Sequence, residues 1–325
     1  MILALALGCA MQLLRAPISS GPMPLESVAS DARTYVNIEG ERWLLDTAAA
    51  ATTCDAAWVH ATGAQVRPTT ITQVGELGAV RVGRTVLARL DLGDWAVSRV
   101  PCLVRDLGAT SSAVEGTVGV LGADLLRRFA VRIDFEGGEL ELVRGPRSRA
   151  DGLRLRLTKE RGSARLLVPV AIDGEPPILA LVDSGADRTY LPGRAGAVVE
   201  RWPGVRRGTG GAPVRVEVEV REGVLVLGGA LRVEGRWIVR DAVPGLLGVD
   251  LLRAVGPEVI INFRHQELTW VSPGARPARS PIRPRSPPSR PPPRRMPRAR
   301  PRGAPAAAEG PRSTRRSRDR RRRSR

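Results

Sequence analysis

The chain has 325 residues, 42% of them hydrophobic, enough for two domains that each bury a core without help from disulfides or metals. Its formal net charge of +18 is concentrated in residues 274–325, which hold 19 Arg against Glu309 and Asp319, so 32 basic and 31 acidic side chains remain for the rest. The folding body is near neutral, and its charge gives no argument for nucleic-acid binding.

Residues 1–24 are a candidate signal or lipoprotein segment. Met1 to Leu7 are apolar and run into Gly8-Cys9, which is similar to the cleavage box of bacterial lipoprotein signal peptides, with Cys9 as the lipidated residue. Ala6-Leu7 reverses the usual order of that box, and the apolar run is too short to span a membrane. Export would make the protein periplasmic or membrane-anchored. Without a working signal the segment is a buried strand or an apolar tip, and the protein is cytoplasmic.

From residue 34 the chain reads as strands, and the order of events occurs twice. Thr34 to Ile38 leads through Glu39-Gly40-Glu41 into Trp43-Leu44-Leu45-Asp46-Thr47-Ala48. Leu167 to Ile172 leads through Asp173-Gly174-Glu175 into Leu179-Ala180-Leu181-Val182-Asp183-Ser184-Gly185. Val-rich alternating stretches follow in both copies, with hairpin tips expected at Val74 to Val82 and Arg207 to Val214. A second shared element then appears as Gly119-Val120-Leu121-Gly122-Ala123-Asp124-Leu125-Leu126 and Gly245-Leu246-Leu247-Gly248-Val249-Asp250-Leu251-Leu252. Each copy closes with a short helix and two strands. The separations Asp46 to Gly122 and Asp183 to Gly248 are 76 and 65 residues, a difference assigned to insertions in the intervening hairpins. Asp124 and Asp250 sit at helix starts, where a carboxylate favours the first-turn amides, and read as structural.

The remaining chemistry-bearing residues are few. Cys54 and Cys102 fall on strands of the first copy, either as a disulfide in an exported protein or as small core residues in a cytosolic one. His60 and His265 are isolated, and CxxC, HExxH and GxxxxGK(S/T) are all absent, which disfavours zinc, Cys/His or Ser/His hydrolysis and nucleotide chemistry. No metal and no cofactor are expected. Residues 274–325, rich in Pro, Arg and Ser, cannot bury enough apolar surface to offset ordering and are expected to be disordered. They are either a solvated spacer or a weak contact for nucleic acid or an anionic surface.

The doubled hydrophobic-hydrophobic-Asp-(Thr/Ser)-(Gly/Ala) loop, followed in each copy by hydrophobic-hydrophobic-Gly, resembles the aspartic protease superfamily of the retropepsins and pepsin. The GxLGxDLL runs look more like bacterial retropepsin-like proteins than like eukaryotic pepsins, and the resemblance covers about residues 30–272. It implies an all-β fold of two tandem β-barrel lobes, 25–146 and 147–273, related by a pseudo-twofold axis, each with one short helix. The chain would be a monomer containing its own pseudo-dimer, with a peptide or protein as substrate.

The same resemblance implies that Asp46 and Asp183 are the catalytic pair. Thr47 and Ser184 would lock the two loops together, Gly185 would let substrate approach, and Gly122 and Gly248 would sit behind the loops. Two close carboxylates share one proton, so that one activates water while the other polarises the carbonyl. Ala48 departs from the family's usual glycine. It keeps open a catalytically inactive peptide-binding form of the same fold, beside the third reading in which the basic tail is the working part.

Overall fold

The structure is a computed structural model that describes residues 18–28, 31–75, 78–110, 115–144, 151–192, 195–206, 214–240 and 244–272. Cys9 and the tail 274–325 lie outside the described residues, as does most of the expected second hairpin tip. No helix among the described residues is long and apolar enough to cross a membrane.

The first lobe runs β1 (Ile18–Val28), β2 (Asp31–Ile38), β3 (Glu41–Leu45), β4 (Thr53–Asp55), α1 (Ala56–Ala61), β5 (Arg67–Gly75), β6 (Gly78–Leu92), β7 (Trp95–Arg105), α2 (Leu107–Thr110), β8 (Thr117–Leu121), α3 (Ala123–Leu126), β9 (Ala130–Asp134) and β10 (Glu139–Arg144). The second continues β11 (Gly152–Arg156), β12 (Thr158–Lys159), β13 (Leu166–Ile172), β14 (Ile178–Val182), β15 (Tyr190–Leu191), β16 (Ala197–Arg206), β17 (Val214–Leu227), β18 (Leu231–Val239), β19 (Gly245–Leu247), α4 (Val249–Val255), β20 (Glu258–Asn262) and β21 (Glu267–Val271).

The duplication is visible in the sheet order itself. The first lobe stacks β2-β3-β8-β4-β7-β6-β5 and the second β13-β14-β19-β15-β18-β17-β16, the same sequence of positions. In each, the strand ending at the Asp loop lies parallel to the strand ending at the glycine element: Leu45 opposite Leu121, and Val182 opposite Leu247. The opening hairpins turn alike, with Glu39 and Gly40 at φ 55° and 88°, and Asp173 and Gly174 at 46° and 85°. Two consecutive positive φ values match the right-handed twist of the flanking strands, which is why glycine takes the second place.

A sheet shared by both lobes joins them, in the order β11-β21-β20-β9-β10-β1. β9 and β20 meet antiparallel at the seam, and Val131, Ile133, Val259 and Ile261 are fully buried there. Each such side chain contributes about 1.5–3 kcal/mol on burial. Arg132 fixes the register: its Nε and Nη2 donate to Glu258 of the other lobe at 2.7 and 3.1 Å, and its Nη1 donates to Glu141 at 2.9 Å. Glu258 is 2% exposed, so a one-residue slip would strand a buried charge at a cost of about 3–5 kcal/mol.

Two features sharpen the sequence expectation. Residues 18–24 of the candidate leader lie in β1, where Pro22 faces Glu141 and Pro24 faces Glu139 of β10. The first lobe's extra length sits in helical connections rather than hairpins. Residues 56–66 with α1 stand where the second lobe has 192–196, and 106–116 with α2 where it has 240–244. These two helices are additional to α3 and α4, which follow the glycine elements.

Candidate active site

Asp46 and Asp183 each leave the end of a buried strand. Their backbone amides continue the parallel ladder, Asp46 N donating to Leu121 O at 3.1 Å and Asp183 N to Leu247 O at 3.0 Å. Each carboxylate is then held by amides of its own loop. Asp46 Oδ1 accepts from Ala48 N and Ala49 N at 2.9 and 2.6 Å, and Asp183 Oδ1 accepts from Gly185 N at 2.8 Å.

The two loops meet through the residues that follow the aspartates. Thr47 Oγ1 donates to Val182 O at 2.6 Å and accepts from Ser184 N at 3.1 Å, while Ser184 Oγ donates to Leu45 O at 2.7 Å and accepts from Thr47 N at 3.2 Å. Both side chains are buried, Thr47 at 1% and Ser184 at 0% exposure. Neither hydroxyl bonds the other; each holds the backbone of the opposite lobe. Two strands from different lobes are thereby fixed at one height, and Asp46 and Asp183 with them.

Gly185 sets how closely the loops approach. A Cβ at that position would lie 2.5 Å from Asp46 Cγ, so only glycine fits between the second loop and the first carboxylate. Ala48 occupies the corresponding place in the first loop, and its methyl packs with Leu167 and Leu181 of the second lobe. The side chain is 8% exposed, buried in a small apolar cluster.

Gly122 and Gly248 lie behind the loops. A Cβ on Gly122 would stand 2.5 Å from the Ala51 carbonyl carbon, and one on Gly248 would stand 2.2 Å from Arg188 O, because the chain leaving each Asp loop crosses directly over them. A matched pair of latches secures those crossings. Thr52 donates from N and Oγ1 to Asp124 at 2.8 and 2.7 Å, and Thr189 donates from N and Oγ1 to Asp250 at 3.1 and 2.7 Å. Asp124 and Asp250 also accept from the amides of Leu125 and Leu251. Burial pushes the Asp250 carboxyl above its ordinary value, with the Thr189 bonds opposing.

Cys54 of β4 and Cys102 of β7 form a disulfide with Cα atoms 6.0 Å apart, on strands that run side by side beneath the first loop. Among the described residues no group of three or more His, Cys, Asp or Glu is arranged to hold a metal ion.

Four contributing residues were not singled out from sequence. Arg105 ends β7 with its guanidinium near Asp46; burial pushes it below its ordinary value and the Asp46 carboxylate acts in the opposite direction. Nothing in Leu103-Val104-Arg105 distinguishes it from any strand end. Arg165 donates from Nη1 to Ala48 O at 3.4 Å, bridging the lobes beside the first loop. Thr52 and Thr189 were legible, since each stands six residues after its aspartate.

Residues 35–125, which carry Asp46 and Gly122, match the aspartyl protease family. Among solved structures, the chain is similar to basic 7S globulin from soybean (TM-score 0.45, 9% identity, covering 79% of this chain and 95% of that one). It is likewise similar to edgp (TM-score 0.46, 10% identity, covering 78% and 94%). No curated protein matches the sequence.

Proposed function

We propose that this chain, an aspartyl protease-like lobe in duplicate, is an aspartic endopeptidase that hydrolyses peptide bonds with a water activated by Asp46 and Asp183. The observation that carries the reading is the exchange of backbone contacts by Thr47 and Ser184, which fixes one aspartate from each lobe against the other through Gly185. Two carboxylates brought close together share one proton. The ionised member of the pair takes a proton from water, with the Arg105 guanidinium standing near Asp46. Its protonated partner donates to the carbonyl oxygen as the tetrahedral intermediate forms. When that intermediate collapses, the amine leaves with a proton returned through the same pair.

Ala48 favours a second reading, a peptide-binding form without turnover, because it adds a methyl where the family usually has none. Peptide cleavage across about pH 3–6, with and without a statine-containing peptide, separates the two. The proposed function predicts cleavage blocked by the statine peptide. Statine binding without any cleavage of a broad peptide library would leave the second reading standing and overturn the first.

A further inference from the structure

A cavity of about 530 Å³ opens beside the first active loop, lined by Ala50, Asp124 and Arg127 of the first lobe and Lys159, Glu160 and Arg161 of the second. Ala50 is four residues after Asp46, and Cα atoms are 3.8 Å apart, so this wall lies within about 15 Å of the carboxylate. An extended substrate advances about 3.3 Å per residue, which puts the cavity within reach of side chains up to about four residues from the scissile bond. Arg165, bonded to Ala48 O, holds the 160–165 turn against the loop.

The charges around the cavity do not cancel. Glu160 spends both oxygens on Arg165, accepting from Nε and Nη2 at 2.5 Å each. Asp124 Oδ1 is taken by Thr52 and the Leu125 amide. Arg127, Lys159 and Arg161 are exposed and make no ion pair among the described residues. Three cations therefore face a space in which Glu160 is paired with Arg165 and Asp124 supplies the one negative charge not matched by an ion pair. Outside the tail the chain is balanced, with 32 basic and 31 acidic residues, so this local excess is not an expression of overall charge. A recess with one sign of charge on its rim concentrates the field within it, and arginine adds charge-assisted hydrogen bonds to carboxylates.

We propose that this cavity is a specificity pocket for a carboxylate side chain of the substrate, so that the preferred peptide carries Asp or Glu within about four residues of the cleaved bond. The inference rests on the endopeptidase reading and adds the substrate class to it.

The test uses full-length Asp183→Asn protein and paired fluorescent decapeptides that share an apolar central pair and differ by Glu or Gln at each flanking position in turn. Fluorescence anisotropy is expected to show about tenfold tighter binding of Glu over Gln at one or two neighbouring positions, fading as salt is raised. The triple substitution Arg127→Glu, Lys159→Glu, Arg161→Glu in the same background is expected to abolish or invert that preference while the Gln peptide still binds, which also reports that the variant has folded. Lys159 is the chain's single lysine, so its protection from acetylation by the Glu peptide, but not the Gln peptide, provides a readout on the unaltered pocket. A Glu preference that survives the triple substitution belongs to the basic tail and overturns the proposal, as do equal affinities or no binding of either peptide. Wild-type cleavage of the Gln peptide is measured in parallel. Cleavage without a Glu preference refutes the pocket alone, and Glu-selective binding without cleavage refutes the peptidase alone.

Discussion

Replacing Thr47 with Val tests whether the two loops are held by the hydroxyl exchange. The side chains have nearly the same shape, so no cavity forms, and the effect isolates the hydroxyl. Thr47 Oγ1 serves Val182 O and Ser184 N, both on residues at most 1% exposed, and no water can replace it. Each of the two buried groups left without its partner costs about 1–3 kcal/mol, so the substitution should destabilise by about 2–6 kcal/mol. That is a large share of a total stability of about 5–15 kcal/mol. Ser184→Ala removes the mirror-image pair, Leu45 O and Thr47 N, and should cost a similar amount. Because either loss frees the loops from one another, the double variant should fall short of the sum by about 0.5–3 kcal/mol. Urea denaturation of the four proteins reads these values, with the peptidase rate measured beside them. A Thr47→Val cost under about 1 kcal/mol, or strict additivity, would refute the reasoning.

Gly185→Ala should reduce activity by at least about 100-fold, because its methyl would have to occupy the space of Asp46 Cγ, whereas Ala48→Gly should keep the rate within a few-fold. Equal rates for the two variants would contradict the packing. The Cys54–Cys102 bridge closes a separation of 48 residues and should contribute about 4 kcal/mol, seen as a drop in melting temperature on reduction or in the Cys54→Ala, Cys102→Ala variant. An unchanged melt under reductant would sink this assignment. Asp250 has a carboxyl raised by burial, so its contribution is fully present below the unfolded value of 3.8 and is lost as pH rises through the higher folded value. Stability of Asp250→Asn relative to wild type should therefore improve as pH climbs from about 3.5 to 7, and a difference that stays flat with pH would argue against it.

The fold was legible in the sequence because the same local instructions occur twice. An acidic residue and glycine turn each opening hairpin, apolar strands deliver Asp46 and Asp183, and Gly122 and Gly248 recur where the chain crosses. Each of these is a short-range constraint, whereas the order in which the strands pair is a long-range property of the fold. Most of β1 fell inside residues 1–24, read first as a candidate leader and only alternatively as a buried strand, because Pro22 and Pro24 break the alternating pattern of a strand. The part of β1 that carries them pairs only with β10, while Leu25 to Val28 pair with β2, so a missing amide on the unpaired side is tolerated. Arg105 and Arg165 escaped for a different reason. Their relation to the site is set by β7 and by the 160–165 turn crossing between lobes, and no local pattern encodes either meeting. Cys54 and Cys102 stood on strands whose adjacency only the β4–β7 pairing reveals.

The most direct measurement is the rate of peptide cleavage at acidic pH by wild type, Asp46→Asn and Asp183→Asn, each checked for an unchanged melt. If one aspartate from each lobe shares the work, wild type cleaves and each substitution alone lowers kcat by at least about 1,000-fold, since neither carboxylate replaces the other. Cleavage that persists at near wild-type rate in either variant would contradict the account.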